Sequence, residues 1–242
     1  AGLNATLDIT DGTYTIGGAG TRINVGNQVT TPGTATVNQS GGAIVFTAGG
    51  GDQLLVGQNT VGNTGVYNLS GGSITTAANT ARGVMLGVNS NPAPGPTSGG
   101  GTFNLSGTGY LNMTAASGGG GDALLEIGRS DAAANNTTNL FYQTGGTANV
   151  GILAMGGAAG GSTGVSSTLT LTGGTFSANS FTVLAAGNTN TAVINIGGTA
   201  DVTLPAFPTA RGTGSTATIN FDGGTLRSTA ASTTYMGGLT NA

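Results

Sequence analysis

The chain reads Tyr-Asn-Leu-Ser-Gly-Gly-Ser-Ile at residues 67–74, and related versions of this phrase recur at intervals of about thirty residues. Most versions have an apolar, a polar and another apolar residue, with Gln39 and Gln143 in the third place of two of them, then a corner that contains glycine, then a second apolar alternation. The eight triplets begin at Leu7, Val37, Tyr67, Phe103, Phe141, Leu169, Ile194 and Ile219. Self-similarity at a fixed period is the signature of a repeat architecture, in which each repeat packs against its neighbours.

Each repeat contains short runs in which apolar and polar residues alternate. In the second repeat, Ile44 and Phe46 follow the glycine corner, and Leu54 and Val56 form a later run that ends at Gly57. Alternation with a period of two predicts half-buried β-strands, and no helical spacing of apolar residues is sustained along the sequence. Two strands joined by Gly-Gly would usually predict a hairpin. Three strands per repeat instead favour corners, at which the chain bends into a second sheet.

The repeats predict an all-β fold, a right-handed single-stranded parallel β-helix (β-solenoid) of about eight coils, with about 30 residues and three strands per coil. Residues 1–242 would form one such domain, and a β-sandwich is the alternative. Paired strands lie about 4.8 Å apart, so the stack would be about 40 Å tall. The expected hand follows the rule for parallel crossover connections. Corners need positive φ and little bulk. This assigns corner roles to Gly12, Gly42, Gly72, Gly146, Gly174, Gly198 and Gly224.

The central residue of each triplet points away from the apolar side chains that flank it. Six of the eight central residues are asparagine or aspartate, and the other two are Tyr142 and Thr170. In parallel register these side chains stack, and their amides can form a hydrogen-bonded ladder along the stack. The alternative is that asparagine is merely tolerated at an outward position. The predicted ladder comprises Asp8, Asn38, Asn68, Asn104, Asn195 and Asn220.

A second predicted column involves charge. Four charged residues stand four to six positions before the glycines that end the third strands of consecutive repeats, and these are Arg22, Asp52, Arg82 and Asp122. Opposite charges one strand spacing apart would form an alternating ion-pair column. It would help to set register rather than stability, because an exposed pair contributes at most about 1 kcal/mol. The alternative is that the four charges fall there by chance.

The charge inventory excludes several classes of partner. The chain has 242 residues, five arginines, eight acidic residues and a net charge of −3, with no lysine, histidine, cysteine or tryptophan. This inventory does not favour binding to nucleic acid or to anionic membrane surfaces. No apolar run approaches the ~20 residues of a membrane span. The chain starts at Ala1 rather than at methionine, so we expect a processed or a truncated product, and the removal of a secretory signal would account for the first case.

The sequence offers little acid–base chemistry, and we expect no enzyme, no cofactor and no metal site. Histidine and lysine are absent, so no serine has a partner that could activate it. The glycine-rich stretches at 49–52 and 119–122 depart from the nine-residue calcium-binding repeat. Two pairs of carboxylates lie close together in sequence and are expected to be solvated or to belong to a ladder, namely Asp8/Asp11 and Asp122/Glu126.

Residues 220–230 read Asn-Phe-Asp-Gly-Gly-Thr-Leu-Arg-Ser-Thr-Ala, and Gly-Leu-Thr follows at 238–240. This stretch, together with the repeated phrase along the chain, resembles the autotransporter-associated β-strand repeat proteins of bacteria. The resemblance implies a right-handed parallel β-helix, export from the cell, and a passenger, adhesive or matrix role. It carries no catalytic residues, and members of that family are usually longer than this chain.

Two functions from different classes fit these observations. The first is an extracellular structural solenoid whose copies associate through uncapped ends into a filament or a surface layer, because an unpaired strand edge is a template for another chain. The second is an adhesin or passenger fragment that binds a surface glycan or a host protein through the long connections at 89–101 and 129–139. A polysaccharide-active enzyme would need clustered carboxylates, which the sequence does not show.

Overall fold

The computed structural model of the protein describes residues 4–18, 21–26, 33–47, 54–58, 64–76, 83–88, 100–114, 123–129, 137–156, 163–183, 189–207 and 212–241. Within these residues the chain forms sixteen β-strands and no helix, which confirms the prediction of an all-β protein. The first twelve strands are short: β1 (Ala5–Ile9), β2 (Thr13–Ile16), β3 (Ile23–Val25), β4 (Thr34–Gln39), β5 (Ala43–Phe46), β6 (Leu54–Gln58), β7 (Thr64–Leu69), β8 (Ser73–Thr76), β9 (Val84–Val88), β10 (Gly101–Leu105), β11 (Tyr110–Met113) and β12 (Leu124–Ile127). The last four are longer: β13 (Thr138–Met155), β14 (Ser166–Val183), β15 (Thr191–Leu204) and β16 (Thr216–Ser228).

The strand pairings in the described residues are parallel, and each joins strands one repeat apart. A first series runs β1-β4-β7-β10-β13, a second runs β2-β5-β8-β11-β13, and a third runs β3-β6-β9-β12-β13. Strand β13 belongs to all three series because successive segments of it pair with β10, β11 and β12. Strands on the two sides of one glycine corner, such as β1 and β2, do not pair with each other in the described structure, so these corners are not hairpins. The result is a solenoid-like stack of parallel strands.

In the later repeats one strand continues through the glycine corner, whereas in the earlier repeats the corner separates two strands. Strands β13 and β14 each have 18 residues and contain their corner glycines. Their register shifts between Gln143 and Thr144 and again between Thr144 and Thr147, so the corner persists as an irregularity in the pairing. Three separate strands per repeat are therefore seen in the first four repeats, whereas the following repeats have fewer, longer strands.

Register places equivalent residues of successive repeats in columns that fill the interior. In one column the side chains of Val37, Tyr67 and Phe103 are aligned and buried. The rings of Tyr67 and Phe103 stack with centroids 5.2 Å apart, and those of Phe103 and Phe141 with centroids 5.3 Å apart. Each aromatic contact contributes about 0.5–1.5 kcal/mol beyond the burial of area. The apolar residues of the triplets thus form the core.

The corner glycines have the backbone conformation that a sharp bend requires. All seven glycines assigned to corners from the sequence have positive φ. At Gly42, φ is 67°, and a Cβ atom would lie 2.8 Å from backbone atoms of Asp11 in the preceding repeat. Both the left-handed backbone and the close packing of one corner on the next therefore favour glycine.

Two corners contain a buried glutamine in an inward column that otherwise holds mainly leucine and isoleucine. Gln39 and Gln143 are fully buried. Each side-chain amide donates two hydrogen bonds, one to its own corner and one to the next repeat. The acceptors are the carbonyl oxygens of Gly42 (3.3 Å) and Ser73 (3.1 Å) for Gln39, and those of Gly146 (3.3 Å) and Thr175 (3.0 Å) for Gln143. These bonds tie adjacent corners together.

Three strands of the third series, β6, β9 and β12, are buried on both faces, which the alternating pattern did not predict. Every residue of β6, β9 and β12 is buried. The outward side chains form a second apolar cluster with Leu55, Met85, Val88, Leu124 and Ala154. Continuous apolar runs are typical of strands that are covered on both faces. Glu126 lies on β12 and is buried. Of the two expectations for it, that it is solvated or that it belongs to a ladder, the first is wrong.

Candidate functional site at the ends of the stack

The described residues show few features of a chemical site. They contain no group of three or more histidine, cysteine, aspartate or glutamate side chains that could hold a metal ion. In the same part of the chain, no helix has the length and apolar character needed to cross a membrane. Asp8 on β1 and Asp11 at the corner that follows are both exposed, and Asp11 Oδ1 accepts a 2.7 Å hydrogen bond from Gly12 N.

The central residues of the triplets form a hydrogen-bonded ladder on the outer face. Asn38 Nδ2 donates to Asp8 Oδ1 at 2.8 Å, and Asn68 Nδ2 donates to Asn38 Oδ1 at 2.7 Å. Asn104 Nδ2 continues this first segment by donating to Asn68 Oδ1 at 2.7 Å. Parallel register places each of these amides directly beside the equivalent residue of the next repeat.

A second segment of the ladder lies beyond Tyr142, which occupies the same column between Asn104 and Thr170. Asn195 Nδ2 donates to Thr170 Oγ1 at 3.0 Å, and Asn220 Nδ2 donates to Asn195 Oδ1 at 2.8 Å. The ladder residues predicted from the sequence are thus brought together in two runs. In both runs the later repeat is the donor.

The predicted ion-pair column cannot be traced, because Asp52, Arg82 and Asp122 lie outside the described residues. The structure instead has an ion pair that sequence spacing did not predict. Arg227 Nε donates to Asp201 Oδ1 at 2.9 Å, and Nη2 donates to Oδ2 at 3.3 Å. The hydrogen bond and the charge of Asp201 raise the pKa of Arg227. The two residues lie diagonally across β15 and β16, a relation that appears only when adjacent repeats are aligned in register.

The β1 end, which comprises β1, β2 and β3, exposes side chains from columns that are buried in the interior. Leu7 is 54% exposed and Tyr14 is 48% exposed. Their partners in the next repeat, Val37 and Ile44, are buried. The exposure therefore arises because no strand of the described structure covers these columns at this end.

The β16 end shows the same exposure over part of its length. Phe221 is 49% exposed, whereas its partner Ile196 on β15 is buried. The stretch from Asn220 to Ser228 is exposed except at Leu226, which is half-buried. This stretch, which we call the open segment, includes the corner and the second half of β16.

The rest of the β16 end is covered, contrary to the expectation of an uncapped end. Side chains of Tyr235, Met236 and Leu239 pack against the core. Asn241 forms a parallel bridge with Thr218, and its carbonyl accepts a 3.2 Å hydrogen bond from the backbone N–H of Ile219. The sequence signal that could have indicated this cover is the apolar cluster at residues 235–239, which the repeat pattern does not explain.

The segments predicted to bind ligands lie largely outside the described residues. The connection at 89–101 is described only at its last two residues, and the one at 129–139 only at its two ends. The glycine-rich stretches at 49–52 and 119–122 are also outside the described part of the chain. Ligand binding through these segments stays a prediction.

No protein-family model, curated protein or solved structure matches the chain.

Proposed function

We propose that this chain is an extracellular structural β-solenoid that associates end to end into filaments or a surface layer. In this proposal the stack is a right-handed single-stranded parallel β-helix of about eight coils. The hand is the one that parallel crossover connections adopt in nearly all known cases. The coil number follows from the eight triplets in the sequence. The resemblance to autotransporter-associated repeats supports an extracellular location.

One observation carries the proposal: interior columns are exposed at the two ends of the stack. Leu7 and Tyr14 at the β1 end and Phe221 at the β16 end belong to columns whose next members are buried. A second copy that contacts the uncovered parts of the ends would bury exposed apolar side chains such as Tyr14 and Phe221, since apolar burial contributes about 25 cal/mol per Å². It would also give the unpaired strand edges parallel partners.

The two ends differ, so a contact between them joins unlike surfaces. Such head-to-tail contacts form open filaments when the rotation between copies does not close a ring. The low charge of the chain, 13 charged residues among 242, limits repulsion between copies along the sides. The absence of cysteine removes one route of oxidative damage. These properties suit a durable extracellular assembly.

Sedimentation velocity and negative-stain electron microscopy of the 242-residue chain test this proposal, in neutral and in acidic buffer and over a wide range of concentration. We expect rods that lengthen as concentration rises. The Tyr14→Ser variant should associate less than wild type because it removes apolar area from the β1 end. Tyr142→Ser is the matched control, since Tyr142 is 36% exposed but lies on the side of the stack. Strict monomers under all conditions would contradict the proposal.

A further inference from the structure

The first half of β16 is covered by residues 239–241, a segment that we call the strap. The strap lies beside β16 as a parallel strand would, because Asn241 forms a parallel bridge with Thr218. The backbone N–H of Ile219 donates a 3.2 Å hydrogen bond to the carbonyl oxygen of Asn241. The strap therefore occupies part of the strand edge that β16 would offer to a further coil.

The strap is also held by two hydrogen bonds between Thr240 and Ala217. The N–H of Thr240 donates to the carbonyl oxygen of Ala217 at 2.7 Å, and Thr240 Oγ1 accepts from the N–H of Ala217 at 3.0 Å. Leu239 packs against the core. Ala217 and Ile219, which lie under the strap, are buried, whereas Phe221 on the open segment is exposed. The strap thus covers this part of the edge and leaves the open segment uncovered.

The repeat register gives the same place to β1 of a second copy. One outward column runs from Thr6 on β1 through each coil to Thr218 on β16. A second copy that continues this register lays its Thr6 beside Thr218 and its Leu7 beside Ile219. Asn241 already bridges Thr218. The strap and β1 of a second copy therefore cannot occupy this edge at the same time.

We propose that the strap is autoinhibitory: it holds the edge of β16 in the free chain and must leave before β1 of a second copy can pair there. This inference rests on the proposed end-to-end function and adds a step that limits it. The occupant is the β1 end of a second copy for two reasons. The strap itself shows that this edge accepts a parallel strand, and every first-series strand inside the stack is covered by the equivalent strand of the next coil.

The strap is held less firmly than the strand that would replace it. Strand β1 is in register with β4 along all five of its residues, whereas the strap forms one bridge in the described structure. Gly237 and Gly238 directly precede the strap, and small residues are common at hinges. Displacement exchanges one bridge for a full coil that covers Leu7 and Phe221. The strap, rather than β1, is therefore the segment that yields.

The first experiment compares wild type with Thr240→Pro and Thr240→Ser by sedimentation velocity. Proline has neither the N–H nor the hydroxyl, so it removes both hydrogen bonds to Ala217, whereas serine keeps both. We expect Thr240→Pro to lower the concentration needed for association at least about tenfold, since displacement of the strap no longer breaks these two bonds. Thr240→Ser is the matched control and should associate as wild type does. Thermal unfolding of dilute samples checks that both variants fold.

The second experiment needs no variant and follows amide hydrogen exchange of wild type below and above the concentration at which it associates. We expect the N–H of Thr240 to exchange faster in the rods than in the monomer, because the released strap loses its bond to Ala217. Residues 5–9 should exchange more slowly in the rods, because β1 gains a second neighbour. An end contact that leaves the strap in place predicts the opposite for Thr240, with exchange unchanged or slower.

The outcomes separate this inference from the proposed function. If the N–H of Thr240 stays protected in the rods, the strap is not displaced and the inference is overturned, while end-to-end association stands. Faster exchange of residues 5–9 on association would show that β1 yields instead, which also overturns it. Equal association of wild type and a folded Thr240→Pro variant would do the same. If neither protein associates at any concentration, both proposals fail.

Discussion

Gln39 and Gln143 occupy equivalent corners, yet their side-chain oxygens have different surroundings. Both amide nitrogens bond to the same pair of backbone positions, as described above. The Oε1 atom of Gln39 accepts a 2.6 Å hydrogen bond from the hydroxyl of Tyr67. The Oε1 atom of Gln143 is buried and has no hydrogen-bond partner in the described structure. The equivalent position in the following repeat is Tyr67 in the first case, whose hydroxyl donates, and Leu169 in the second, which has no donor.

The comparison shows that in a parallel stack the columns, rather than the repeat itself, determine how well a polar group is satisfied. The two amide nitrogens bond to the same pair of backbone positions, and the side chain from the following repeat decides whether the amide oxygen has a donor. A buried acceptor without a partner costs about 1–3 kcal/mol. The corner at Gln143 therefore stabilises the stack less than the corner at Gln39.

Of the changes at these two corners, replacing Gln39 with leucine should lower the free energy of unfolding the most. The change removes two hydrogen bonds to backbone carbonyls and leaves the buried hydroxyl of Tyr67 without its acceptor. We expect the free energy of unfolding to fall by about 3 kcal/mol. Gln143→Leu is the matched control, and it should cost less than about 1 kcal/mol because the unpaired oxygen is removed with the bonds. Urea unfolding followed by circular dichroism measures both, and equal losses would show that Tyr67 does not distinguish the corners.

Features that repeat along the sequence could be predicted from it. Apolar alternation indicated β-strands, and the recurring Gly-Gly pairs indicated corners, because each signal occurs several times in equivalent places. The column of Asn38, Asn68 and Asn104 followed from the same alignment, since parallel register places equal positions side by side.

Features that occur once, or that depend on residues distant in sequence, could not be predicted. Burial of Glu126 results from cover on the outer face of the third series, which alternation within β12 does not reveal. The cover at the β16 end depends on Leu239 and Asn241 folding back onto the last strand. The bond between Gln39 and Tyr67 requires knowledge of which inward columns are neighbours across a corner. The repeats determine the strands, the corners and the parallel register, whereas such single contacts depend on how side chains distant in sequence pack together.

Tyr67→Phe should convert the corner at Gln39 into a copy of the corner at Gln143. The ring that stacks on Phe103 is kept, and the only atom lost is the hydroxyl that donates to Gln39. We expect a loss of about 1–2 kcal/mol in the free energy of unfolding, smaller than that for Gln39→Leu because the amide bonds of Gln39 remain. In the double variant Tyr67→Phe, Gln39→Leu the two losses should not add, since each removes the same bond. Additive losses in urea unfolding would mean that the hydroxyl stabilises the fold through another contact.

The same hydroxyl should also make the free energy of unfolding depend on pH in alkali. The change per pH unit should be smaller than the loss caused by Gln39→Leu. Burial raises the pKa of Tyr67 above its ordinary value of about 10. The folded chain therefore keeps this proton at a pH at which the unfolded chain has lost it. The contribution of Tyr67 is fully present below about pH 10 and is lost as pH rises towards the folded-state pKa, by at most about 1.4 kcal/mol per pH unit.

Urea unfolding of wild type and Tyr67→Phe on both sides of about pH 10 measures this dependence. Burial also raises the pKa of Tyr235, so both proteins should lose some stability in alkali. Wild type should lose more, and the difference between the two proteins isolates Tyr67. Tyr142→Phe, which changes a tyrosine that is 36% exposed on the outer face, should follow wild type. If Tyr67→Phe and wild type instead lose stability in parallel, Tyr67 does not keep its proton in the folded state, and the bond to Gln39 is weaker than its 2.6 Å length implies.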